Sequence, residues 1–294
     1  MKALLLLFFF TVSTFAAEVA ITIDDFNLRE APLMGRTKRD EKVLEALRKH
    51  KVQAALFLTC KYLEIPESKA RLHSWEKEGH ILANHTYSHW FYDEKGFKAF
   101  SEDVKKCHDM IKDSPAFTPL FRFPFLKGGK TTGQRDSMQK YIKELGYKNG
   151  YVTIDASDWF ISQKLEEALS KNPETDLIPY RDYYLRHIWE RSLYYDGLGK
   201  KHWKKPVKHT LLIHHNLLNS LFLDDLLSMF EKKGWKLIPA SVAFKDPLFD
   251  EVPDVIPHGE SILWMLAKKA ADRSIRYPGE DSKFEEKAMK ALGL

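Results

Sequence analysis

The strongest constraint on this chain is the alternation of short apolar runs with amphipathic helical stretches. Residues 18–23 (EVAITI) read as a buried strand that stops at Asp24 and Asp25. Further apolar strands are expected at 52–58, 81–83, 120–123, 151–154, 210–213 and 236–238. Helices at 38–49, 68–77, 97–112, 134–145, 160–170, 183–194 and 221–232 separate them. Gly79 and Gly146 follow two of these helices as C-terminal stops. Strands alternating with helices of this length demand parallel pairing with helical crossovers. About seven such units, with no Pro- or Ser-rich linker, predict an α/β fold: a distorted (β/α)7-type barrel in a single domain.

Composition narrows the class without naming it. Hydrophobic residues make up 44% and charged residues 30% of 294, which excludes a disordered, collagen-like or multi-span membrane chain. Lys and Arg exceed Asp and Glu by only 46 to 41. That spread-out excess gives no basic stripe, so no nucleic-acid partner is expected. Two cysteines, Cys60 and Cys107, are too few for a disulfide framework or a cysteine-ligated zinc site, and spacing leaves their pairing open.

Met1 and Lys2 precede an apolar run at 3–12, followed by Ser13, Thr14, Ala16 and Ala17. This pattern predicts a signal peptide, 1–16, cut after Ala16, and a periplasmic or secreted product with no stable membrane span after cleavage.

Polar residues recur where the expected strands end. The first strand ends in Asp24-Asp25, and the third runs into Asn84-His85-Thr86-Tyr87-Ser88-His89. Arg122 and Pro124 belong to the fourth strand and its end, Asp155-Ala156-Ser157-Asp158-Trp159 follows the fifth, and His214-His215 follows the sixth. In barrels of parallel strands, active sites are built from that rim. His85 and His89 are four apart, so on a helix both imidazoles would share a face. Two imidazoles with one carboxylate make a ligand set that leaves room for water. Asp25 is the expected third ligand, which frees Asp24 as a general base.

Thr22-Ile23-Asp24-Asp25, His85-x-x-x-His89, Arg122-x-Pro124, Asp155-x-x-Asp158-Trp159 and Leu211-x-x-His214 occur in that order. From about Val19 to Trp235 the chain resembles the polysaccharide deacetylases, the metal-dependent carbohydrate esterases that share the nodulation chitooligosaccharide deacetylase homology domain. The resemblance implies one divalent metal, Zn2+ with Co2+ or Ni2+ as substitutes, on Asp25, His85 and His89. It implies that Asp24 activates water and that Arg122 keeps Asp24 ionised. His214 would protonate the leaving amine, and Asp158 would orient that imidazole. Trp159 would line the acyl pocket, and the backbone N–H of Phe125 would hold the oxyanion.

The implied activity is removal of N-acetyl or O-acetyl groups from a cell-envelope or extracellular glycan, by a monomer. The alternatives are the same fold acting on a small non-glycan amide, or a carbohydrate-binding pseudoenzyme. The catalytic barrel would be 17–246 with a helical insertion at about 160–208, and 247–294 a C-terminal helical extension.

The chain also departs from the family pattern. Pro124-Phe125-Leu126 stands where the family usually has Pro-Tyr-Gly, and His214-His215-Asn216 where one His often precedes Asp. Alternation along a strand puts His214 and His215 on opposite faces, and the spacing from Leu211 selects His214. His187 and the other unpatterned histidines (His50, His73, His80, His108, His202, His209, His258) are expected at the surface or behind the site. The insertion's aromatics, Tyr180, Tyr183, Tyr184, Trp189, Tyr194, Tyr195 and Trp203, are read as packing, with a sugar-stacking wall as the alternative.

Overall fold

The structure is a computed structural model that describes residues 16–294. The expected signal peptide lies outside the described residues, except for Ala16.

The first strand, β1 (Glu18–Asp25), runs through the centre of the molecule. Its residues Val19 to Ile23 are all buried. A parallel strand covered on both faces shows no polar alternation, and this one shows none. Alternating with helices come α1 (Arg36–Lys49), β2 (Ala55–Leu58), α2 (Ser68–Lys77), β3 (Ile81–Asn84), α3 (Tyr92–Ile111) and β4 (Phe117–Phe121). Next are β5 (Lys127–Gly129), α4 (Thr132–Glu144), β6 (Lys148–Asn149), α5 (Asp158–Lys171) and α6 (Ile178–Leu198). Then follow β7 (Lys208–His214), α7 (Leu217–Lys232), β8 (Lys236–Leu237) and α8 (Ala240–Ala243). The last elements are β9 (His258–Gly259), α9 (Ile262–Lys269) and α10 (Ser282–Ala291).

Among the described residues the main sheet has seven strands in the order β6-β4-β3-β2-β1-β7, with β8 joining β1, and every pairing is parallel. The α/β barrel expected from the alternation is therefore the observed fold. Parallel pairing brings all strand C-termini to one rim, and register sets Asp24 beside both Phe57 of β2 and His214 of β7.

The expected strand at 151–154 is the main departure. The segment crosses from the β4 edge to the β7 edge and closes the ring, so its hydrogen bonds are divided between two neighbours. Gly150 donates to Phe121 O at 2.6 Å, and Ile154 donates to Thr210 O at 3.0 Å. Between them the side chains of Thr153 and Thr210 accept each other's backbone N–H, leaving only one bridge, Ile154 to Leu211. A Cβ on Gly150 would sit 2.4 Å from the Phe57 ring, so the crossing requires glycine. Helix α3 also begins earlier than expected, because Gly96 at φ 73 lets an extra turn attach through a kink.

Cys60 and Cys107 are disulfide-bonded, with Cα atoms 5.3 Å apart. The insertion's aromatics are packing elements: Tyr180, Tyr183, Tyr184 and Tyr195 are buried, and Trp189, Tyr194 and Trp203 pack against the core. The C-terminal segment contains the two expected helices, α9 and α10. It also returns to the rim as β9, antiparallel to β5, a contact no local pattern announced. Four histidines expected at the surface or behind the site, His80, His187, His209 and His258, are fully buried.

Candidate active site

The rim carries a cavity of about 480 Å³ whose lining includes Asp24, Asp25, His85, His89, Phe125, Trp159 and His214. Strand alternation alone would send Asp24 and Asp25 to opposite faces. Asp25 instead leaves β1 at φ 83, and both carboxylates line the same cavity. Phe26 (φ 49), Thr86 (φ 69), His89 (φ 57), Phe125 (φ 57) and Leu126 (φ 56) are also left-handed. Each such residue costs about 1–2 kcal/mol, and strain of this kind gathers at functional sites. Leu126 stands where the resemblance predicts a glycine, which would enter that region freely.

The His85–His89 stretch is a loop and not the helix on which its spacing would bring both rings to one face. Polar side chains take the N–H groups that a helix would use. Asn84 Oδ1 accepts from Thr86 N at 2.8 Å, and Thr86 Oγ1 accepts from His89 N at 3.0 Å. Asp103 Oδ2, on α3, accepts from the N–H groups of Tyr87 (3.1 Å) and Ser88 (2.9 Å). Both rings still converge. His89 Nε2 lies 3.3 Å from Asp25 Oδ1, and His85 Nε2 lies 3.8 Å from the same oxygen. A tetrahedral zinc with ligands at about 2.0–2.1 Å would separate its ligand atoms by roughly 3.4 Å, so the spacing fits a small divalent cation. The Arg122 carbonyl accepts from His85 Nδ1 at 2.9 Å, which leaves Nε2 unprotonated for a ligand role. Burial lowers both imidazoles to about 4, so they are neutral as ligation needs. Burial opposes charge on Asp25 as well, but His89, His214 and His85 outweigh it and lower its carboxyl to about 2.

Asp24 is 2% exposed and meets Arg122 Nη1 at 2.5 Å. Burial raises its carboxyl to about 6 against the pull of Arg122. Arg122 is itself fixed: Nε donates to Gly150 O at 2.7 Å, Nη1 donates to Thr22 Oγ1 at 3.0 Å, and the guanidinium lies 3.8 Å over the Phe57 ring.

On the other side of the cavity, Asp158 is fully buried at the first turn of α5. Its Oδ1 accepts from His214 Nδ1 at 2.8 Å. Its Oδ2 accepts from His214 N (2.9 Å), Asn216 Nδ2 (3.0 Å) and Asn219 Nδ2 (2.8 Å). Burial disfavours charge on His214, but the charge and hydrogen bond of Asp158 prevail and raise it to about 10. His215 points to the opposite face, with its Nε2 3.1 Å from the buried Asp40.

Phe125 and Trp159 are exposed at the rim and form cavity walls. The wall also includes charged residues the sequence left without a role: Asp155, Lys127, Glu260, Glu280 and Asp281. Asp155 belongs to a motif that was read, and burial raises it to about 6. The last three lie in the returning C-terminal segment, and no spacing pattern pointed to them.

Fold and site together define an α/β barrel with a two-histidine, one-carboxylate cluster, a second carboxylate beside it and a carboxylate–imidazole pair opposite. Residues 12–150, just under half of the chain, match the model of the polysaccharide deacetylase family. The match includes the segment from Asp24 to Phe125 and ends before Asp158 and His214.

A peptidoglycan-N-acetylglucosamine deacetylase of Bacillus cereus is 28% identical over 145 residues, 49% of this chain and 46% of that protein. An uncharacterized 30.6 kDa protein of Geobacillus stearothermophilus is 28% identical over 42% of this chain and 44% of its own length. The chain thus matches somewhat less than half the length of these curated relatives. Among solved structures, a Bacillus subtilis peptidoglycan deacetylase aligns with a TM-score of 0.51 at 19% identity, over 78% of this chain and 91% of its own. A CE4 family pseudoenzyme from Bacillus anthracis aligns with a TM-score of 0.52 at 17% identity, over 78% of this chain and 65% of its own. At such identities these likenesses establish the shared fold.

Among the described residues, no helix is long and apolar enough to cross a membrane.

Proposed function

We propose that the protein hydrolyses acetyl groups, N-acetyl before O-acetyl, from a cell-envelope or extracellular glycan. The observation that carries this reading is one cavity lined by a ligand triad, a carboxylate base and an imidazole acid. Asp25, His85 and His89 would hold one divalent cation, Zn2+ by donor type, with Co2+ or Ni2+ as substitutes. When bound, it supplies Lewis acidity toward the acyl oxygen and lowers the pKa of water.

The protein's own groups do the rest. Asp24, at about 6, is ionised at neutral pH and accepts the proton of the attacking water. Arg122 holds that carboxylate in one orientation through the 2.5 Å contact. The Phe125 backbone N–H donates to the oxygen that gains charge as the carbonyl becomes tetrahedral. His214, at about 10, is protonated at neutral pH. It donates its proton to the amine nitrogen as the C–N bond breaks, leaving acetate and a free amine. Asp158 balances the imidazolium charge, and Trp159 walls the acyl group. A binding module would need neither the base nor the acid, and both are present.

The Bacillus cereus relative's name supports an N-acetylhexosamine polymer as substrate. The Cys60–Cys107 bond suits an oxidising compartment, which supports residues 1–16 as an export signal and a periplasmic or secreted location.

The test is acetate release from chitooligosaccharides, peptidoglycan fragments, acetylated xylan and poly-N-acetylglucosamine, with metal-stripped protein and after adding Zn2+, Co2+ or Ni2+. Metal-dependent release from an N-acetylated glycan is expected. Release from none of them by metal-loaded protein would overturn the reading.

A further inference from the structure

The side of the site opposite the ligand triad is braced by elements outside the motifs. On α6, Tyr184 and His187 stand one turn apart, both buried, and each contacts a neighbour of the Asp158–His214 pair. The Tyr184 hydroxyl donates to Asn219 Oδ1, and Asn219 Nδ2 donates to Asp158 at 2.8 Å. His187 Nε2 accepts from the backbone N–H of Ser157 at 3.0 Å. Ser157 caps α5 immediately before Asp158. Because Nε2 accepts, Nδ1 carries the proton, and it faces Glu285 Oε2 of α10 at 3.1 Å. Tyr183 donates to the same oxygen at 2.6 Å.

The group His187, Glu280 and Glu285 has the donor spacing of a cation site, but its capacity is already used. Arg191 and Arg276 lie 2.5 and 2.8 Å from the Glu280 carboxylate, and both His187 nitrogens are engaged. What the cluster does is hold one backbone N–H at the start of α5.

We infer that the insertion helix α6 and the C-terminal α10 are positioning elements for the acid, with His187 as the positioning residue. Glu285 sets the tautomer and ring plane of His187. His187 then sets the backbone of Ser157, and the next residue aims its carboxylate at His214. His187 touches no substrate and moves no proton in the reaction. Partners that orient a reacting group in this way are worth about 10–100-fold when removed, and a displacement of about 1 Å is enough for such a loss. This inference rests on the proposed function for its kinetic readout only.

The experiment compares wild type, His187→Ala, His187→Gln and Glu285→Ala, using acetate release from acetylated chitopentaose. His187→Ala is expected to lower kcat about tenfold with KM within about twofold. His187→Gln should restore most of it, since its amide can accept from Ser157 and donate to Glu285. The His214 Nδ1–H proton resonance, read by NMR without substrate, should shift or broaden in His187→Ala and Glu285→Ala and return in His187→Gln. Glu285→Ala carries the comparison if His187→Ala does not fold. Unchanged kcat, a rise in KM alone, or an unmoved His214 resonance would overturn the inference. If wild type releases no acetate, the functional reading fails on its own, and the resonance decides the positioning role.

Discussion

Breaking the Cys60–Cys107 bond should both destabilise the fold and loosen the loop that carries His85 and His89. The bond joins the turn after β2 to the C-terminal part of α3 across 47 residues. In the chain-entropy relation a loop of that length removes about 14 cal/mol/K from the unfolded chain, or about 4 kcal/mol at 25 °C. For a chain of this size that corresponds to roughly 7 °C in Tm. Both sulfurs are buried, so reduction requires unfolding first. The assay is therefore urea unfolding of wild type refolded with and without reductant, which leaves both side chains in place and adds no cavity. The local consequence follows from two backbone bonds: Cys60 N donates to Thr86 O and Lys61 N to Tyr87 O, each at 3.0 Å. The reduced protein should bind Co2+ more weakly in a titration followed by its visible absorption. Stabilities within about 1 kcal/mol of each other would refute the loop-closure reasoning.

Asp24→Asn should lower turnover by about two to four orders of magnitude while metal content, read by elemental analysis, stays near that of wild type. Loss of the metal instead would mean that Asp24 and Asp25 have exchanged roles. His214→Ala should cripple acetate release by a similar factor, and it should also lower Tm, because the buried Asp158 loses its imidazolium partner. His215→Ala should leave acetate release near that of wild type while costing about 3 kcal/mol, because the buried Asp40 keeps Trp75 Nε1 but loses His215, and a gap opens against Phe26 and Trp75. The opposite ranking in the activity assay would reject the assignment of the acid. Burial lowers His80 from 6.5 to about 4, so the fold favours its neutral form. Its contribution is present above pH 6.5 and lost as pH falls toward 4, because the unfolded chain takes up the proton first. Wild type should therefore lose roughly 3 kcal/mol more than His80→Gln between those limits in urea titrations at each pH, and parallel pH profiles would contradict this.

The barrel was legible because burial on both faces leaves a direct mark. Val19 to Ile23 could only be a central strand, and helical stretches between such strands could only be crossovers. The rim residues were legible for a related reason: parallel strands bring their C-terminal ends together, so Asp24, His85, Arg122 and His214 could be assigned to one edge before any contact was known. The segment 151–154 was misread because its apolar residues signal burial equally well in a strand and in an irregular ring-closing crossing. The spacing of His85 and His89 correctly suggested that the rings share a side. The backbone is a loop all the same, because Asn84, Thr86 and Asp103 outcompete helical hydrogen bonding there and one of those partners is fourteen residues or more away along the chain.

The sequence by itself determined the order of secondary structure, the rim on which the polar residues meet, and the donor types available for a metal, a base and an acid. These follow from local periodicity and from the chemistry of individual side chains. Tertiary structure decided how that chemistry is held. Asp25, Thr86, His89, Phe125 and Leu126 all sit in a left-handed region without being glycine, so no composition signal marked them, and only the surrounding contacts enforce it. The cysteine bridge, the return of β9 to β5, and the Glu285–His187–Ser157 contacts join residues 47 or more positions apart, except for the last step of 30. Proximity over such separations is set by how the barrel closes and how the later helices pack on it, which no local pattern encodes.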